Sequence, residues 1–505
     1  MRWPSLMPML AALLLAACAS VTNPVSGKRE LTVMDERAEI AAGAKAHREV
    51  LAEYGVVGDA ALQAYVDGVG QKLAAASHRP NLKWTFTVLD SPEVNAFALP
   101  GGYVYVTRGI MAYLDSEADL AGVLGHEIGH VTARHGAAGA TRQAGAGAAV
   151  VGATLLGAIV EATTGIPGLA QAAGGLAEVG AAGLIASYSR EQELQADQLG
   201  AQYLARVHFN PGNMVDVIRL LGDQERFAAE AARAAGRAPP ASGGWLASHP
   251  SSDQRLQQIR TTAQQLLAQQ PGGWADDGRG RYLQSIDGMT FGDGRAQGVV
   301  RGRNFFHEPL GIAITAPQGW RIVNASDAVA LINAKGDAGL VLRLVPPEVV
   351  RKAGGSHEAV LRQALGATDG RIERLTLGGG LQATHFVGRR RDARGNIRPL
   401  DATIASGPRG ELFLLGRVAG SAAALERAQP LLREAELSFR PLAGAEIAAA
   451  RPWRIDLVPL PAGGFAQLAR NTPLIELPEQ QLRLLNGVYG RQAAAPAGSE
   501  VKVVR

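Results

Sequence analysis

Residues 124–131 read Leu124-Gly125-His126-Glu127-Ile128-Gly129-His130-Val131, and the pentad at 126–130 decides more about this chain than any other stretch. Residues 114–134 contain no proline and few breakers besides Gly122, Gly125 and Gly129, so the segment is expected to be one helix. Residues four apart on a helix share a face, which lets His126 and His130 grip one metal ion together. Glu127 lies about a third of a turn away. It is badly placed to be a third ligand but well placed to act as a base on a water beside the metal.

Ten histidines in 505 residues make this pattern a chance event in roughly one chain per hundred. A polar, solvated helix face would be the plain alternative. Ala121, Val123, Leu124, Ile128 and Val131 instead mark a buried helix. Two histidines and a glutamate are costly inside a protein unless paired or metal-bound.

A catalytic zinc generally takes three protein ligands and keeps a position for water. About sixty residues on lies Ser189-Arg190-Glu191-Gln192-Glu193-Leu194-Gln195-Ala196-Asp197. Glu193 and Asp197 are again four apart on an expected helix. Glu193 is a candidate third ligand, and Asp197 a candidate acceptor for the spare ring N–H of a ligand histidine. Alone this spacing is common on solvated helices; joined to the first motif it carries weight.

Asn95-Ala96-Phe97-Ala98-Leu99-Pro100-Gly101-Gly102, then 124–135, then 188–200 together resemble the zinc metallopeptidase family of HtpX, the Ste-type CAAX-processing proteases and BepA-like periplasmic proteases. The resemblance covers roughly 23–265. It implies a mainly helical zincin-type domain with a small β-sheet, and one Zn2+ per chain held by His126, His130 and Glu193. Glu127 is then the catalytic base and Asp197 stands outside the ligand set. The implied activity is zinc-dependent endopeptidase action on misfolded or stalled envelope proteins, with a latched chaperone or assembly factor, or a peptidoglycan-associated scaffold, as alternatives. Ser248-His249-Pro250, followed by Arg255, also resembles the family. It makes His249 a candidate latch on the zinc or donor to the oxyanion. Read without the resemblance, His249 merely precedes a helix with Pro250 in its first turn. His135, just past the motif, is expected to be structural.

The composition is globular: 47% apolar and 19% charged residues, with a formal net charge of +4. Nucleic acid is not an expected partner, since no Lys/Arg run is long enough to suggest one. Arg389-Arg390-Arg391 is short and is expected to enter a hairpin turn over 392–396. Residues 1–17 read as a signal peptide: Arg2, then a short apolar core at 7–15, too short to span a bilayer comfortably. Leu15-Ala16-Ala17-Cys18 resembles a bacterial lipobox, which makes Cys18 the lipidation site. Cys18 is the only cysteine, so it forms no internal disulfide. A lipid anchor gives membrane attachment, and Ala19-Ser20 after it, with no aspartate, resembles sorting to the periplasmic face of an outer membrane.

The fold class expected is multidomain α+β. A lipidated extended tether (18–34) precedes the zinc metallopeptidase domain (35–268), with helices near 35–54 and 59–77, strands at 83–89 and 103–107, and a final helix near 253–268. The Gly/Ala-rich 136–187 reads as closely packed helices or a mobile substrate-side flap rather than a span. A polar linker (269–300) leads to an antiparallel α+β domain (301–440). Strands are expected there at 311–316, 328–333, 339–345, 382–387, 398–405 and 411–418, and helices at 355–366 and 421–435. His307, His357 and His385 are scattered in it and suggest no catalytic group. The tail (453–505) reads β-α-α-β and resembles a LysM module through Leu484-Leu485-Asn486-Gly487 and the final 498–504. The usual Gly-Asp-Thr turn is replaced by Gly463-Gly464-Phe465. Peptidoglycan is the partner this resemblance implies.

Overall fold

The computed structural model describes residues 19–32, 34–139, 188–236, 245, 249, 253–270, 272–325, 328–391, 396–491 and 496–505. Cys18, the signal segment and most of 136–187 lie outside the described residues. The chain forms two compact units, one from the segments up to 291 and from 454 onward, the other from 292–453. The content is mixed α and β in several sheets, a multidomain α+β protein. Among the described residues no helix is long and apolar enough to cross a membrane.

The first unit begins with a finding against expectation. Residues 19–32 form a two-stranded hairpin, Ala19–Thr22 against Arg29–Thr32, rather than an extended tether. The Asn23 side chain donates to the Ala133 carbonyl, 3.3 Å away, at the end of the motif helix. Pairing satisfies backbone groups that an extended chain would leave to water. Helices Glu36–Tyr54 and Ala60–Ala75 follow, each capped by an aspartate, Asp35 and Asp59. Three short strands then make a sheet in the order Thr85–Leu89, Tyr103–Thr107, Ala96–Leu99. The first two run parallel and the last antiparallel. Ala96–Leu99 was not anticipated as a strand; it is the sheet's edge and only four residues long.

The helix expected over 114–134 is present as Glu117–Thr132, and a separate short helix, Arg108–Tyr113, stands just before it. Arg108–Tyr113 ends at Leu114, which takes an extended conformation. Ser116 then caps Glu117–Thr132 through the Asp119 N–H. A serine ahead of two acidic residues starts a helix better than it continues one. Every residue from Leu120 to Thr132 is buried. The glycines that look like breakers are contact points. A methyl group on Gly125 would lie 3.3 Å from Gly200 Cα, and one on Gly129 3.1 Å from the Ala196 carbonyl. Helix Arg190–Arg206, opened by a Ser189–Gln192 capping box, therefore packs backbone to backbone on the motif helix.

Helices Asn213–Ala234 and Asp253–Gln269 complete the helical layer. The stretch 269–300, expected to be a linker, holds helix Arg279–Ile286 and strands Thr290–Phe291 and Val299–Arg301. Tyr282, Leu283 and Ile286 on that helix are fully buried; their three-and-four spacing makes an apolar face in a glycine-rich segment. Thr290–Phe291 shares a sheet with the tail strands Trp453–Pro459 and Glu500–Val504. Between those two come helices Gly464–Leu468 and Pro478–Leu485, the expected β-α-α-β order. The Asn486 side chain bridges to the closing strand through both the N–H and the carbonyl of Lys502, at 2.8 and 2.9 Å. Lys502 Nζ is fully buried and donates to the carbonyls of Ala112 and Leu114, 3.1 and 2.5 Å away, where helix Arg108–Tyr113 ends. Burial pushes its pKa down to about 8.

The second unit is antiparallel. Seven strands lie in the order Arg321–Asn324, Val329–Ile332, Ala338–Leu344, Leu412–Ala419, Ile397–Ser406, Gln382–Arg391, Ala367–Thr376. Arg391 pairs with Ile397, so Arg389–Arg391 does enter a hairpin. Helix Ala422–Leu437 buries Ala428, Leu432 and Ala435 in the core of this unit. His385 is less isolated than the sequence suggested. It lies 2.8 Å from Thr403 Oγ1 and 3.5 Å from Glu436, in a buried group that includes Arg417.

Candidate metal centre

Backbone contact at the glycines carries four side chains to one point. The donor nitrogens and oxygens of His126, His130, Glu193 and His249 all lie within 4.8 Å of one another, and all four residues are buried. His126 Nε2 and His130 Nε2 are 3.1 Å apart. Glu193 Oε1 lies 3.4 Å from His130 Nε2, and Oε2 3.6 Å from His126 Nε2. His249 Nδ1 completes the group, 3.1 Å from His126 Nε2 and 2.9 Å from Glu193 Oε1.

These residues fit a zinc ion. Two ligands on a tetrahedral zinc with bonds near 2.05 Å stand about 3.3 Å apart, close to the observed separation. Without a cation, imidazole lone pairs this near each other in a buried site would be unfavourable. The surrounding hydrogen bonds aim those lone pairs inward. His126 Nδ1 lies 2.9 Å from Asp197 Oδ1. Asp197 also takes two N–H groups of Arg255 at 2.8 Å. An acceptor at Nδ1 leaves His126 Nε2 for the metal. For His130 the chain is longer: His130 Nδ1 lies 2.9 Å from His135 Nδ1, and His135 Nε2 2.9 Å from Gln195 Oε1. With the Gln195 oxygen accepting from His135 Nε2–H, His135 Nδ1 accepts from His130 Nδ1–H, and His130 Nε2 is free to ligate.

Electrostatics support the same division of roles. Burial raises the Asp197 pKa, but Arg255 outweighs it and holds the carboxyl down to about 2. Burial likewise works against Glu193, yet His249, His126 and Arg255 keep it below the usual carboxylate range; Arg255 Nη1 is 3.0 Å away. Burial, then neighbouring His126 and His249, push His130 well below its ordinary value, so it is neutral and able to ligate. Glu127 is fully buried and pushed up to about 7, first by burial, with the Glu193 carboxylate adding. Near neutrality a carboxylate can both take and return a proton. Its Oε1 accepts from the Trp245 indole N–H at 3.2 Å, while Oε2 has no hydrogen-bond partner among the described residues.

All of His126, Glu127, His130, Glu193, Asp197 and His249 therefore meet at one place. Cys18 lies outside the described residues. The sequence reading missed Trp245, Gln195 and Tyr188, whose ring stacks on His130 at 3.8 Å. It also underrated His135. Gln195 lies in the stretch quoted from the sequence, two residues from each acidic member. Its position on the face toward His135 depends on where the motif helix ends, which spacing alone does not give.

Residues 60–263 match the family model described as Peptidase family M48. The beta-barrel assembly-enhancing protease of Yersinia pestis is 33% identical over 230 residues, 45% of this chain and 44% of that protein. Its namesake in Escherichia coli is 31% identical over 214 residues, 42% of this chain and 41% of that protein. The mitochondrial metalloendopeptidase OMA1 of Schizosaccharomyces pombe is 30% identical over 242 residues, 47% of this chain and 64% of that protein. The chain thus spans less than half the length of the bacterial relatives it matches.

Proposed function

We propose that this chain, whose residues 60–263 belong to peptidase family M48, is a zinc-dependent metalloendopeptidase of the bacterial envelope. The observation that carries the reading is the buried group His126, His130, Glu193 and His249 with Glu127 beside it. His126, His130 and Glu193 would hold the metal. When bound, zinc supplies Lewis-acid activation of the scissile carbonyl and of water. Glu127 accepts the water proton at Oε2, the oxygen left without a hydrogen bond, and returns it to the departing amine. Asp197 and the His135–Gln195 pair hold the two imidazoles in the ligating tautomer.

His249 is the fourth donor. Its Nδ1 lies where an attacking water would be needed, which supports a resting state held off by the chain itself. That position favours the latch over the oxyanion role. It also favours a second reading, in which the protein acts mainly as a latched assembly factor. Substrates are misfolded or stalled envelope proteins, a reading supported by relatives named for β-barrel assembly. Lipid attachment at Cys18 places the enzyme at the periplasmic face of the outer membrane. The β-α-α-β tail acts as a LysM-like module toward peptidoglycan.

Glu127→Gln tests the core claim. It should keep one zinc per chain and lose cleavage of an unfolded protein, whereas Glu193→Ala should lose both. A Glu127→Gln enzyme that still cleaves overturns the reading.

A further inference from the structure

Trp245 is a large side chain at the centre of the site whose purpose the chemistry above does not supply. It is 1% exposed. Its backbone N–H donates to the Val94 carbonyl at 2.9 Å, and Val94 lies just before the edge strand Ala96–Leu99. Its indole N–H donates to Glu127 Oε1, and its ring meets that of His126 edge-on at 6.0 Å. Next to Val94, the Asn95 carboxamide oxygen is buried with no hydrogen-bond partner among the described residues. Among the described residues no strand pairs with the outer side of Ala96–Leu99.

An extended substrate beside this strand would give a backbone N–H to the chain at its edge and bury a side chain beside the base. Trp245 gives its N–H to Val94, two residues before the strand, and buries its indole against Glu127. We propose that Trp245 occupies the substrate's own subsite, and that the enzyme cleaves next to a large aromatic residue. The proposal rests on reading the site as a peptidase centre. A preformed space that takes an indole without exposure discriminates by size and shape. A side chain smaller by several methylenes leaves it part-empty, and each missing methylene weakens binding. The indole N–H holds Glu127 Oε1 and leaves Oε2, the proton-accepting oxygen, untouched, so what Trp245 blocks is the subsite.

The test has two readouts. Zinc-loaded His249→Ala and the double variant His249→Ala with Trp245→Ala digest a denatured protein mixture, and the new amino termini are sequenced. The double variant should cleave at least tenfold faster, with Trp, Phe and Tyr enriched at one fixed position beside the cut. The second readout needs no turnover. N-acetyl-tryptophanamide should raise the melting temperature of Trp245→Ala and leave wild type unmoved, because the wild-type indole already fills the subsite. Should the alanine variant fail to fold, Trp245→Leu carries both measurements, the digestion again with His249→Ala. Cut sites without aromatic enrichment overturn the proposal, as does a melting temperature unmoved by the ligand. If no variant cleaves yet N-acetyl-tryptophanamide still stabilises the opened variant, the peptidase reading fails and the aromatic subsite stands.

Discussion

His126 Nδ1 lies 2.9 Å from Asp197 Oδ1, and the same carboxylate is clamped by Arg255 through two hydrogen bonds of 2.8 Å. A guanidinium on one helix thus holds a carboxylate on a second, which faces the ring of a candidate metal ligand on a third. Asp197→Asn keeps the shape but lets the amide present its N–H to His126. The expected result is a 10–100-fold loss of zinc affinity with the fold intact. Titration against a competing chelator measures it, and an unchanged affinity rejects the tautomer role.

His249→Ala should open the site. Its Nδ1 stands 2.9 Å from Glu193 Oε1 among the candidate ligands, so removal admits water and raises proteolysis, including self-cleavage. A donor to the oxyanion would behave oppositely, with turnover falling by roughly a hundredfold or more. One rate assay on an unfolded protein separates the two by sign.

Gly200→Ala would place a methyl group 3.1 Å from the His126 N–H nitrogen and 3.2 Å from Met214 Sδ. The helices that carry His126 and Glu193 must then part by a few tenths of an ångström. We expect a loss of about 1–3 kcal/mol in unfolding free energy, accompanied by weaker zinc binding. Denaturant melts of the metal-free protein beside chelator titrations check both; a stable variant with normal zinc affinity contradicts the close packing.

In the second unit, Glu436 accepts from Arg417 Nη2 at 2.5 Å and from Arg433 Nη1 at 3.0 Å. Burial raises its pKa, but hydrogen bonding to His385 and the charge of Arg417 outweigh it, and the value falls to about 2. A depressed carboxyl stabilises the fold above its unfolded pKa near 4.5 and loses that contribution as pH falls toward 2. The loss is roughly 3 kcal/mol. Unfolding free energy of wild type minus that of Glu436→Gln, measured from pH 5 to pH 2, should shrink by about that amount. A difference that stays flat would remove Glu436 from the acid response.

The sequence was most legible where chemistry follows a helical period. His126 and His130, then Glu193 and Asp197, share faces because they are four apart, and no tertiary information is needed to see it. Strands with an alternating or apolar pattern were equally plain, as at 329–332 and 412–419. Those that escaped were short, such as Ala96–Leu99, or polar, such as Ala367–Thr376, where Thr368, Asp369 and Gly370 hide the pattern. The helix Arg108–Tyr113 escaped as well, since six residues are too few for a helical period to show.

What the sequence offered by itself is the candidate donors His126, His130 and Glu193 and the candidate base Glu127, each written into a local spacing; His249 came only from the family resemblance. What only the tertiary structure decided is how those groups are held: Arg255 on Asp197, Gln195 on His135, Trp245 on Glu127. The partners in the first and last of these pairs lie 58 and 118 positions apart, and 60 separate His135 from Gln195. No period links such residues. Their meeting depends on helix Glu117–Thr132 touching helix Arg190–Arg206 at bare glycine backbone, a packing contact that exists only once the chain has folded.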